Sequence, residues 1–172
     1  MFSIFQNLPL IFLLFLGAVN ISAQDLPTTK SEITKDKKCS LADSYNDFIQ
    51  IEYKKFSFCI PIDLKEQNVK CIDSFCKEFK NEKMILTIDA DPNAGIPVLE
   101  RTNLSYQENT ILVDNRKVWL WYFEQDHEYK YLSGANFWSE KHDYYDLGMF
   151  LSYKDLNQKE TVEKIIKSVR FK

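Results

Sequence analysis

The run Val118-Trp119-Leu120-Trp121-Tyr122-Phe123 has no polar face. β-branched and aromatic residues dominate it, and such residues favour the pleated surface of a strand. A strand that is apolar on both sides belongs inside a sheet with material packed on each face. The rest of the domain must supply neighbours for it. Shorter segments with alternating character surround it. Phe56, Phe58 and Ile60 share one face of a strand that Pro61 ends, and Met84, Leu86 and Ile88 share one face of another. Residues 69–81 read as a hairpin about Asp73-Ser74, with 91–97 as a proline-bearing loop after the strand at 84–89. Residues 105–113 and 117–124 read as strands joined by the tight turn Asp114-Asn115-Arg116, followed by strands at 129–138 and 144–153.

The period changes at the C-terminus. Val162, Ile165, Ile166 and Val169 have the i, i+3, i+4, i+7 spacing of an amphipathic helix. Asn157 is read as its N-cap, and Glu160/Lys164 and Glu163/Lys167 as supporting i, i+4 pairs. The helix is expected to end near Ser168, with Arg170-Phe171 folding back onto the sheet. The expectation is one α+β domain over 48–172: a mostly antiparallel sheet of six or seven strands with a C-terminal helix packed on it.

Residues 8–19 are almost wholly apolar and are followed by Ile21-Ser22-Ala23 and a polar, turn-like stretch. An apolar run of about a dozen residues suits a signal peptide and is short for a membrane span. Residues 1–23 are therefore expected to be a signal peptide cleaved after Ala23, leaving no stable membrane span, with export to a secreted or periplasmic location. The segment carries no Lys or Arg, and the alternative is an uncleaved anchor. Roughly 150 residues remain after it, one domain by size. Residues 24–47 read as a mobile arm, with a helical turn at 41–46.

All four cysteines, Cys39, Cys59, Cys71 and Cys76, follow the leader. An even count in an exported chain points to two disulfides. Cys39–Cys59 and Cys71–Cys76 are the preferred pairs, the second placing its cysteines opposite each other on adjacent strands. The competing arrangement, four thiolates on zinc, lacks the paired short knuckles that such sites use.

A first strand ending Phe56-Ser57-Phe58-Cys59-Ile60-Pro61, an Ile72-Asp73-Ser74 hairpin, a strand meander and the closing run 162–171 come in a characteristic order. Over residues 48–171 this order resembles small bacterial secreted proteins of the PsbP/Mog1-like type, an antiparallel sheet sandwiched by helices. The resemblance implies a binding or accessory role, since proteins of that fold bind other proteins. It carries no catalytic residues, and the cysteines are no part of it.

Searching for chemistry yields little. The net charge of −3 gives no electrostatic footprint for nucleic acid. Neither a G-x-S-x-G elbow nor a glycine-rich phosphate loop is present. His127 and His142 sit among acids at the ends of neighbouring strands, where a metal-dependent hydrolase would need them to converge. Asp89, Asp91 and Asn93 are spaced like the opening of a calcium loop, the one cofactor the residues suggest, but Gly95 falls one place late. Asn103-Leu104-Ser105 is a glycosylation sequon in a eukaryotic pathway. The strongest remaining signal is aromatic. Trp119, Trp121, Trp138 and Tyr144 fall on adjacent strands, either as core or as a face that binds a protein partner. The functional expectation is a non-catalytic exported binding protein, with a metal-dependent hydrolase or a calcium-stabilised module as alternatives.

Overall fold

The computed structural model describes residues 38–39, 45–70, 75–90, 104–141 and 144–172. Along the chain run β1 (Phe48–Glu52), β2 (Phe56–Pro61), β3 (Lys65–Gln67), β4 (Cys76–Lys80), β5 (Met84–Asp89), β6 (Gln107–Val113), β7 (Arg116–Glu124), β8 (Tyr131–Ser139), β9 (Tyr144–Tyr153), α1 (Lys159–Lys167) and β10 (Arg170–Phe171). Seven strands form one antiparallel sheet in the order β3-β4-β5-β9-β8-β7-β6, and β1-β2-β10 form a second, smaller one. The fold is α+β and mostly sheet, as the period of the sequence indicates.

Pairing register defines the two faces of the large sheet. Met84, Leu86 and Ile88 stand beside Tyr153, Leu151 and Met149 of β9, and those beside Tyr131, Ser133 and Ala135 of β8. This inner face continues through Phe137 to Val118, Leu120 and Tyr122 of β7. The small sheet and α1 cover it. Phe58 meets Phe79 edge-on at 6.1 Å, and Phe171 meets Phe137 at 5.7 Å. Val162, Ile165 and Ile166 of α1 are buried, each contributing about 1.5–3 kcal/mol of apolar burial.

Several sequence readings need correction. Phe48–Glu52 is a full strand, antiparallel to β2, whereas the sequence reading only began the domain there. β2 was expected to bury one face, yet Ser57 and Cys59 on its other face are buried too. Two covers explain this. Cys39 is disulfide-bonded to Cys59, and Ser168 at the end of α1 accepts the Cys59 N–H through Oγ at 2.8 Å. Pro61 does end the strand, as its last residue. Asn157 is not the cap of α1. A 3₁₀ turn, Leu156–Gln158, precedes the helix, and Gln158 takes the N-cap position without a side-chain hydrogen bond.

The first arm of the 69–81 hairpin also lies elsewhere. Lys65–Gln67 pairs with β4, Gln67 standing opposite Glu78, while Asn68, Val69 and Lys70 are irregular. A short edge strand needs no apolar alternation, which is why polar Lys-Glu-Gln gave no signal. Cys76 is disulfide-bonded, and Cys71, the remaining cysteine of the chain, lies outside the described residues. With the Cys39–Cys59 bond formed, the four-thiolate zinc arrangement is excluded.

Other expectations are met. Asp114 and Asn115 both have positive φ, 50° and 62°, and Val113 pairs with Arg116 across them. That is the two-residue turn whose twist matches a hairpin. Both helical ion pairs form, Glu160–Lys164 at 2.8 Å and Glu163–Lys167 at 2.9 Å. Residues 170–171 do fold back, although onto β2 of the small sheet. Arg116 then ties the two sheets together. Its guanidinium lies 3.5 Å from the centre of the Phe171 ring and donates to Asp146 at 2.7 Å. Of the arm, Lys38 bridges to Ile49 and Tyr45 donates to the Lys164 carbonyl, while 24–37 and 41–44 lie outside the described residues.

Candidate functional site

The outer face of the large sheet is where the tryptophans gather. Trp119, Trp121 and Phe123 of β7 stand beside Asn136, Gly134 and Leu132 of β8. Gly134 and Gly148 in turn neighbour Phe150 and Asn136 across the β8–β9 ladder. A face turned only to water would carry polar residues. This one carries seven apolar side chains across three strands.

Its centre is built around missing side chains. The Trp121 indole lies flat over Gly134, where a Cβ would stand 2.0 Å from Cζ2. Phe150 lies over Gly148 in the same way, at 3.1 Å from a virtual Cβ. Phe123 and Phe150 flank the indole, each ring 5.9 Å from it. Trp121 is thereby buried, and its Nε1–H donates to Asn136 Oδ1 at 3.0 Å. Asn136 is fully buried, and its Nδ2 has no hydrogen-bond partner among the described residues. Beside this lies a second cluster. Tyr145 packs edge-on against Trp138 at 5.1 Å and tilted against Trp119 at 6.3 Å. All three are half-buried, and burial raises the Tyr145 phenol above its usual pKa.

Of the aromatic residues singled out from sequence, Trp119, Trp121 and Trp138 share this face. Tyr144 does not join them. It pairs with Ser139, while Tyr145 pairs with Trp138. A β-bulge between Phe137 and Trp138 shifts the alternation by one residue, and a strict period of two across 144–153 cannot anticipate it.

On the inner face, α1 leaves a cleft of about 240 Å³ beside the edge of the sheet. Leu120 and Tyr122 form its floor, Val162 and Ile166 its helical wall, and Gln107 and Asn109 of β6 its outer rim. Lys159 overhangs it, its ammonium 5.3 Å from the Tyr122 ring. Burial and the neighbouring Glu124 push the Tyr122 phenol up to about 12. Sequence reading missed this cleft, since it depends on which strand becomes the edge.

The remaining candidates lie only in part among the described residues. His127 is exposed in the β7–β8 loop, its Nδ1 accepting the Tyr129 N–H at 3.4 Å. His142 lies outside the described residues. Asp89 ends β5 with Oδ1 buried, whereas Asp91, Asn93 and the sequon residue Asn103 lie outside the described residues. Among the described residues no three His, Cys, Asp or Glu side chains group in a way that could hold a metal. A broad depression around Tyr129 is lined by Lys80, Lys83, Lys154, Glu82 and Glu128. Within it Lys154 binds Glu128 at 2.7 Å, which holds that carboxyl below its usual pKa. No helix among the described residues is long and apolar enough to cross a membrane.

No protein-family model matches the chain, and no curated protein matches it either.

Proposed function

We propose that this chain is an exported, non-catalytic accessory protein that holds a protein partner against the outer face of its large sheet. The observation that carries the reading is the Trp119–Tyr145–Trp138 cluster, half-buried on the face opposite α1. Tryptophan and tyrosine in that state offer large contact area at low entropic cost, and they are the residues enriched where binding energy concentrates. Export is supported by the apolar leader at 1–23 and by the disulfide chemistry of the cysteines. The resemblance to PsbP/Mog1-like proteins agrees with an accessory role and belongs to the same reading.

Two measurements test it. N-terminal sequencing of the protein from its native compartment should begin at Gln24; an intact Met1 end on protein recovered from the cytoplasm would remove the export half, and an intact end on membrane-bound protein would replace cleavage by the anchor. Quantitative affinity capture should recover a partner with the natural chain and lose it about tenfold with Trp119→Ala/Trp138→Ala. Equal recovery by a folded double variant would remove the binding face.

A further inference from the structure

We propose that the edge strand β6, together with the cleft beneath α1, is a docking site for an extended peptide that adds a strand to the large sheet. This goes beyond the aromatic outer face and uses different residues. The peptide is one carrying aliphatic residues at alternate positions with an acidic residue beside them.

The two edges of the large sheet are unlike. β3 is three residues long and carries Lys65 and Glu66. Short, charged edge strands are protected against pairing. β6 runs for seven residues in unbroken register with β7, with no proline, no bulge and one charge, Glu108. Gln107 through Thr110 are exposed, and Leu112 is 76 % exposed. Among the described residues no strand lies beyond it.

The hairpin turn sets which backbone groups face outward. Val113 and Arg116 flank a two-residue turn, so they form a hydrogen-bonded pair, as do Ile111, Asn109 and Gln107 with their β7 partners. The backbone of Thr110 and Leu112 therefore points away from the sheet. The side chain of Asn109 bears this out, since its Oδ1 accepts the Thr110 N–H at 2.7 Å. The carboxamide sits where the carbonyl of an added strand would sit.

The cleft identifies the occupant. Side chains alternate along a strand, so every second residue of an added strand falls on the side of Gln107 and Asn109, toward α1. There it meets Leu120, Tyr122, Val162 and Ile166. A volume of about 240 Å³ is below the roughly 300 Å³ at which drug-sized or cofactor sites begin, and it suits one or two aliphatic side chains. Two glutamates also line the cleft, but Glu163 is held by Lys167 at 2.9 Å and Glu108 accepts the Tyr106 hydroxyl at 2.6 Å. Lys159 is exposed at the rim and makes no ion pair among the described residues, so it is the cation left to meet an acidic residue. Backbone pairing for affinity with a side-chain pocket for specificity is the general logic of strand addition.

The test is selection of a random-heptapeptide display library on the full oxidised chain, followed by affinity measurement on the synthetic consensus peptide. The expected consensus alternates aliphatic residues and includes an acidic one. Thr110→Pro keeps β6 as an edge strand, where proline is tolerated, but removes the outward N–H. It should weaken the consensus peptide about tenfold, and Lys159→Glu should weaken it severalfold. Hydrogen exchange should slow at Thr110 and Leu112 on peptide addition. Undiminished binding to a Thr110→Pro chain with an unchanged melting curve overturns the proposal. So does a selection without alternation, or a dimer joined through β6, which would make a second copy the occupant. Trp119→Ala/Trp138→Ala should leave the peptide affinity unchanged, which separates failure here from failure of the outer-face reading.

Discussion

Replacing Gly134 by alanine tests whether the outer face is built as described. The added Cβ would stand 2.0 Å from Cζ2 and 2.1 Å from Cε2 of Trp121. Ordinary contact begins near 3.4 Å, so the indole must retreat by roughly 1.5 Å, an overpacking strain that costs about 1–3 kcal/mol. Retreat also breaks the 3.0 Å bond from Trp121 Nε1 to Asn136 Oδ1, and Asn136 Nδ2 already has no partner among the described residues. Leaving buried polar atoms unmatched adds about 1–3 kcal/mol. The reduced freedom of the unfolded chain returns about 0.4–1 kcal/mol. The net expectation is a loss of about 1–5.5 kcal/mol, read by urea unfolding followed by circular dichroism. In a Trp121→Leu background the collision is gone, so Gly134→Ala should cost under about 1 kcal/mol there. Refutation would be a single-variant cost under about 0.5 kcal/mol, or strict additivity of the two changes.

Removing the Cys39–Cys59 bond by the Cys39→Ala/Cys59→Ala pair frees a span of 20 residues and should cost about 3 kcal/mol in the same unfolding assay. Ser168→Ala removes the acceptor of the buried Cys59 N–H and should cost about 1–3 kcal/mol, with Ser168→Thr less harmful if its hydroxyl reaches the same position. The phenols of Tyr122, Tyr145 and Tyr153 are all raised, chiefly by burial, so the folded state holds these protons more tightly than the unfolded one. Their contribution to stability is present below the ordinary value of 10.0 and, for Tyr122, is lost as pH rises to about 12. Denaturation midpoints should therefore fall through that window, and a midpoint flat in pH there would contradict the burial of these rings.

The sequence makes strands legible but not their neighbours. Met84, Leu86 and Ile88 announce a face, and Asp114-Asn115 announce a turn, because side-chain alternation and positive φ are local properties. The order of the sheet is not local. β8 and β9 insert between β7 and β5, and no feature of 84–113 says that β5 and β6 will lie three strands apart. The same limit explains the site. Trp119 and Trp138 are readable as aromatic and strand-borne, whereas their convergence on Tyr145 requires a bulge. The weight of Trp121 is carried by Gly134, one of only four glycines in the chain, and nothing near it in sequence marks it as a seat for an indole. β1 and β3 differ in legibility: Ile49-Gln50-Ile51-Glu52 does alternate, over only four residues, whereas Lys65, Glu66 and Gln67 carry no apolar residue to set a period.

Insertion of the β8–β9 hairpin also decides which strand is the exposed edge, and hence where the chain is able to bind. Had β6 paired with β5, as sequential strands commonly do, Leu112 would be interior and the cleft under α1 would be closed by a neighbour. With the hairpin inserted, β6 is pushed to the margin with its polar half, Gln107 to Thr110, beside the helix and its apolar half, Ile111 and Val113, packed against the core. That division accounts for a strand whose first four residues carry no inner-face apolar group although Leu120 and Tyr122 lie open next to them. Substituting leucine at Asn109 should fill the cleft from within, raise stability and compete with an added strand, so binding and stability are expected to move in opposite directions at this one position.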